Sequence, residues 1–138
     1  MRSLFADTFY WIALADASDS AHQQALALTA QRANWRIVTT DEVLTEYLSY
    51  FATAPQQFRH EAVESVERLL ASSVVRVIPQ SRQSFLAGIH LYRARLDKGY
   101  SLVDCISMQT MRREGITEVL TSDHHFEQEG FQMLFREF

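Results

Sequence analysis

Long apolar runs are missing from this chain: no stretch approaches the roughly 20 residues that a helix needs to cross a bilayer. The N-terminus lacks a basic region followed by an extended apolar segment, so no secretory signal is expected. A single cysteine, Cys105, excludes an internal disulfide. Lysine is almost absent: Lys98 is the only one, and the remaining basic residues are arginines. A basic surplus is missing too, since the net charge is −4. The broad positive surface of a general nucleic-acid binder is therefore not there, although bound cations would change the sign of one face. These absences point to a cytoplasmic, soluble protein with no membrane partner.

Hydrophobic residues make up 47% of the 138 positions, enough for a sizeable core, and no repeat, low-complexity tract or linker interrupts them. The expectation is one domain spanning residues 1–138. Leu4-Phe5-Ala6 is a short apolar strand of the kind buried on both faces, and it ends in Asp7. Further strands are expected at Arg36–Thr39, Val74–Ile78, Glu118–Thr121 and Phe131–Phe135.

Helical segments alternate with these strands. One begins at Phe9, and a second runs from Asp19 or Ser20 to about Ala33. A third opens at Thr39-Thr40-Asp41-Glu42, where Thr39 and Glu42 have capping-box spacing, with an apolar stripe at Leu44, Tyr47, Leu48 and Phe51. His60–Ala71 should turn Val63, Val66, Leu69 and Leu70 inward. Ser81 should cap a helix that buries Phe85, Ile89, Tyr92 and Leu96. Gly99 suits a left-handed turn, a helix from Ser101 stops at Gly115, and a short one starts at Asp123. The alternation predicts a three-layer α/β/α fold around a mostly parallel sheet of about five strands.

In such a sheet ligands bind outside the carboxyl ends of the strands, where strand order reverses. Asp7 and Asp123 follow strands one and four. Glu46 and Asp104 lie near the starts of helices on the same rim. Each has a local alternative: Asp7, Asp104 and Asp123 can cap helices, and Glu46 can be a solvated surface residue. Gathered together, four carboxylates would repel one another unless a hard divalent ion sat among them. Mg²⁺ and Mn²⁺ take oxygen ligands and support in-line displacement at phosphorus.

The stretches Phe5-Ala6-Asp7-Thr8, Thr39-Thr40-Asp41-Glu42-Val43-Leu44-Thr45-Glu46, Ser101-Leu102-Val103-Asp104-Cys105 and Thr121-Ser122-Asp123-His124-His125-Phe126 resemble, in order and spacing, the motifs of PIN-domain nucleases. The compact size is similar to the VapC-like toxins of toxin–antitoxin pairs. The resemblance covers the whole chain. It implies Mg²⁺- or Mn²⁺-dependent cleavage of RNA, with Asp7, Glu46, Asp104 and Asp123 as the metal-holding and catalytic residues. Thr8, Ser101 and Thr121 match supporting hydroxyl positions, and Phe9 replaces a smaller polar residue. The resemblance also implies a cognate antitoxin and a homodimer.

Two other readings stay open. A catalytically silent PIN-like binding module would bind metal without cleaving RNA. A phospho-acceptor receiver domain needs a lysine at a strand end, whereas Lys98 falls in a turn after a helix. Among the remaining residues, Cys105 and Phe126 read as packing and Arg112 and Arg113 as partners of a helix C-terminus. His124 and His125 lack the third ligand of a zinc site. Arg82, Arg93, Arg95 and Lys98 form a loose basic set. Trp11, Tyr47, Tyr50 and Phe51 could stack on bases only where their rings are exposed.

Overall fold

A computed structural model describes residues 2–135. Its elements, in chain order, are β1 (Arg2–Ala6), α1 (Thr8–Ala15), α2 (His22–Thr29), β2 (Trp35–Thr40), α3 (Asp41–Tyr50) and α4 (Gln56–Ala71). β3 (Val75–Ile78), α5 (Arg82–Ala94), α6 (Leu102–Glu114), β4 (Glu118–Leu120), α7 (His124–Gln128) and β5 (Gln132–Met133) follow.

The five strands form one sheet in the order β3-β2-β1-β4-β5, and every pairing is parallel. The three-layer architecture expected from the alternating pattern is therefore present. β1 lies at the centre, and its Leu4, Phe5 and Ala6 are fully buried. The chain first builds outward through β2 and β3, then crosses to β4 on the other side of β1. The order reverses between β1 and β4, where Ala6 is opposite Leu120, so both strands deliver their carboxyl ends to one crevice.

Several local readings need correction. The α3 cap is Thr40, whose hydroxyl accepts from the Val43 amide at 3.1 Å. Thr39 is fully buried, and its hydroxyl donates to the Ala6 carbonyl at 2.9 Å. It serves the strand below, so it is not available as a cap. α2 stops at Thr29, short of Ala33, because the chain must turn to bury Trp35 at the start of β2. α4 begins at Gln56, ahead of His60, and leaves Val63 and Leu70 exposed, while Ala62 is its buried residue.

The larger correction concerns α5. Ser84, Gly88 and Leu91 face the interior, while Phe85, Tyr92 and Leu96 are exposed and Ile89 is half-buried. Gly88 explains the rotation. A Cβ built there would lie 2.4 Å from Cγ1 of Ile106, so α5 and α6 approach through the one position without a side chain. Residues 136–138, the end of the chain beyond the fifth strand, lie outside the described residues.

Candidate active site

Asp7 follows β1 directly and occupies the N-cap of α1, yet its carboxylate makes no capping bond to that helix. It is 6% exposed, and its Oδ2 accepts a hydrogen bond from the Thr121 hydroxyl at 2.9 Å. Burial, and then the charge of Asp104, push its pKa up to about 7. The Thr121 hydroxyl and the Thr8 amide pull the other way, and Glu46 adds to the rise.

Glu46 projects from α3 and is exposed, but Thr8 reaches across from α1 to donate its hydroxyl to Oε1. Asp104 belongs to a capping box. Its amide donates to Ser101 Oγ at 3.0 Å, and its Oδ2 accepts from the Ser101 amide at 3.3 Å. Burial, and then Asp123, raise its pKa, while the Ser101 bonds oppose the shift and Glu46 reinforces it. Asp123 caps α7, where Oδ1 accepts from the His125 amide at 2.9 Å.

The capping alternative thus holds for Asp104 and Asp123 and fails for Asp7. Capping fixes the direction of each carboxylate without removing it from the crevice. Asp7, Glu46, Asp104 and Asp123 line one cleft of ≈560 Å³ at the carboxyl ends of β1 and β4, together with Thr8 and Thr121. Asp104 is the electrostatic hub, since Asp7, Asp123 and Glu46 all share its field.

His125 joins this group, and sequence reasoning left it outside. Its Nδ1 is buried with no hydrogen-bond partner, 3.4 Å from Asp123 Oδ1 and 3.9 Å from Asp104 Oδ2. One donor atom from each of the three residues lies within 4.8 Å of the other two. Ligands about 2.0–2.2 Å from one ion are at most about 4.4 Å apart, so both histidine separations fit a shared cation. The usable signal was the Asp-x-His spacing at a helix start, which folds the histidine back toward its own cap.

A PIN-domain family model matches residues 4–131. The chain belongs to the PIN-domain family. Its VapC-like character is supported by the 23S rRNA-specific endonuclease VapC20 of Mycobacterium tuberculosis, from strains CDC 1551 / Oshkosh and ATCC 25618 / H37Rv. These relatives are 28% identical over 128 residues, covering 93% of this chain and 95% of the relative. The crystal structure of VapC20, described as a Sarcin-Ricin loop cleaving toxin, superposes with a TM-score of 0.80 at 29% identity, covering 93% of this chain and 95% of that one. VapBC2 from Rickettsia felis, bound to a DNA fragment from its promoter, shares the fold at a TM-score of 0.67 and 15% identity, with 96% and 97% covered. FitAcB from Neisseria gonorrhoeae does so at 0.66 and 13%, with 96% of each chain covered.

Around the acidic cleft of this PIN domain, other side chains have structural partners. Phe126 is fully buried beneath the rim. Cys105 is buried, and burial, ahead of Asp104 and Glu129, pushes its thiol up to about 11, so it packs as an inert neutral group. Arg112 and Arg95 both donate to the Glu129 carboxylate, at 2.9 and 2.8 Å. That removes Arg95 from the loose basic set. Arg82, Arg93 and Lys98 remain exposed. No described helix is long and apolar enough to cross a membrane.

Proposed function

We propose that this PIN domain is a metal-dependent endoribonuclease and the toxin of a toxin–antitoxin pair. The observation that carries the reading is the meeting of Asp7, Glu46, Asp104 and Asp123, drawn from both halves of the chain, in one cleft around a buried aspartate. Asp104, in the fields of Asp123 and Glu46, suits a hard divalent ion such as Mg²⁺ or Mn²⁺, and the imidazole nitrogen with no partner favours Mn²⁺ of the two.

Asp7, Glu46, Asp104 and Asp123 would hold the ion, with His125 Nδ1 as an added donor. When bound, a divalent ion supplies charge stabilisation at the phosphoryl oxygens and hydroxide near neutral pH. The chain's own hydroxyls and amides set the ligand directions in advance. Thr121 orients Asp7, Thr8 orients Glu46, and the Ser101 cap holds Asp104. This ordering leaves little reorganisation for the moment of reaction.

RNA cleavage in Mg²⁺ or Mn²⁺, with and without chelator, tests the proposal against Asp7→Asn and Asp104→Asn. Loss of cleavage in both variants is expected, and unchanged cleavage in both overturns the assignment. 23S rRNA is the first substrate to try, because the related VapC20 is described as specific for it. A cognate antitoxin and a homodimer belong to the same proposal. Co-purification with the product of a neighbouring gene and light scattering of the isolated chain check them.

A further inference from the structure

The residues lining the acidic cleft include four carboxylates and no lysine or arginine. An RNA strand entering it meets no cationic side chain in that lining, so part of its grip must come from uncharged surface. The aromatic candidates there are Phe9 and Tyr50. Phe9 is half-buried and already committed, with its ring 4.9 Å from Phe135 in an edge-on contact.

Tyr50 is different. It lies four residues after Glu46 on α3, so its side chain shares the face that carries the glutamate to the cleft. Half of it, 50%, is exposed. The ring is nevertheless held at two points. Its hydroxyl donates to Asp16 Oδ2 at 2.9 Å, and Phe51 packs against it at 5.0 Å with an interplanar angle of 85°. Asp16 is itself fixed at the end of α1, where its other oxygen accepts from the amide and hydroxyl of Ser18 at 2.9 and 2.6 Å. Much of the freedom that a surface tyrosine would lose on contact with a ligand is already removed.

The geometry points to Tyr50 as a base-stacking platform that positions the nucleotide beside the scissile phosphate. This assignment rests on the ribonuclease reading above and adds the group that grips the base. Stacking needs a π-face and no particular hydrogen-bond pattern, so it tolerates different bases.

The test uses the full chain, Mn²⁺, and single-stranded RNA oligonucleotides carrying 2-aminopurine at successive positions. Wild type should quench the probe at one position before cleavage. Tyr50→Ala should lose that quench and raise KM roughly 5- to 150-fold, with kcat changed less than about threefold. Tyr50→Phe should keep the quench, with KM raised no more than in Asp16→Ala, because both variants keep the π-face and lose the same hydrogen bond. Tyr50→Leu should behave like alanine despite its apolar area. Asp16→Ala, which frees the ring, should fall in between.

Unchanged KM and quench in Tyr50→Ala overturn the proposal, as does full rescue by leucine. The ring also borders a hollow lined by Asp16, Phe51 and Phe58. Loss of binding to a co-expressed protein partner, with RNA kinetics intact, assigns Tyr50 to protein docking and likewise overturns it. If wild type neither cleaves nor quenches any RNA, the ribonuclease reading falls, and the platform falls with it.

Discussion

The Thr121 hydroxyl donates to Asp7 Oδ2 at 2.9 Å and accepts from the Asp123 amide at 3.2 Å, so one buried side chain joins the ends of β1 and β4 to the acidic rim. Removing that hydroxyl while keeping the shape should disorganise the site more than the fold. Thr121→Val is expected to lower RNA cleavage at least about tenfold while costing only about 1–2 kcal/mol of stability. Single-turnover cleavage and urea denaturation of the same preparation check the two numbers.

The raised Asp7 predicts an unusual pH profile for the metal-free protein. In the folded chain Asp7 keeps its proton up to about pH 7, while an unfolded aspartate loses it near 3.8. Between those values the folded state binds more protons, so stability falls as pH rises. The penalty is absent below about pH 4 and complete above about pH 7, with an upper bound of about 4 kcal/mol. Asp7→Asn should therefore melt higher than wild type at pH 8 in chelator and lose the advantage at pH 4. Added Mn²⁺ should raise the wild-type Tm and leave the variant nearly unchanged.

Glu129 predicts the opposite slope. Burial would raise its pKa, but hydrogen bonds from Arg112, Arg95 and Tyr100 outweigh that and hold it at about 2. Its stabilising contribution is present above the unfolded value of 4.5 and is lost as pH falls toward 2. Glu129→Gln should cost about 2–4 kcal/mol at pH 7, because two arginines lose their shared carboxylate. The gap between variant and wild type should narrow in acid, as read by melts from pH 7 to 3.

Gly88 is a packing prediction. Alanine there gains helix propensity of about 1 kcal/mol, but its Cβ would meet Ile106 Cγ1 at 2.4 Å and the Ile106 backbone nitrogen at 3.3 Å. Overpacking costs about 1–3 kcal/mol, so the net result should be destabilising. Leu96→Ser, in the turn just after α5, should be neutral within about 0.5 kcal/mol, since that side chain is 74% exposed. Urea midpoints of the two variants check both halves of the argument.

The residues that could be read from sequence were those whose roles are local. Short apolar strands ended by acids, the Ser101–Asp104 capping box and the left-handed Gly99 and Gly115 need only their neighbours in the chain. The α5 stripe misled because Phe85, Ile89, Tyr92 and Leu96 have helical spacing, and spacing alone does not say which face meets the protein. A glycine that admits another helix closely decided it. Thr39 was misread for a related reason: a hydroxyl at a helix start can serve the neighbouring strand instead. From sequence, His125 lacks a third ligand and Tyr50 is one of four aromatic candidates for stacking; what places them at the cleft, Asp104 beside the histidine and the exposure of the tyrosine, exists only in the folded chain.

The sheet order has a bearing on how the protein is made. β1 is synthesised well before its neighbour β4 and the residues that complete the cleft, Asp104, Thr121 and Asp123. On the proposed function, a nascent polypeptide that has not reached Asp104 carries Asp7 and Glu46 without the rest of their set and should not cleave RNA. Cleavage then waits on the strand that closes the other side of the crevice.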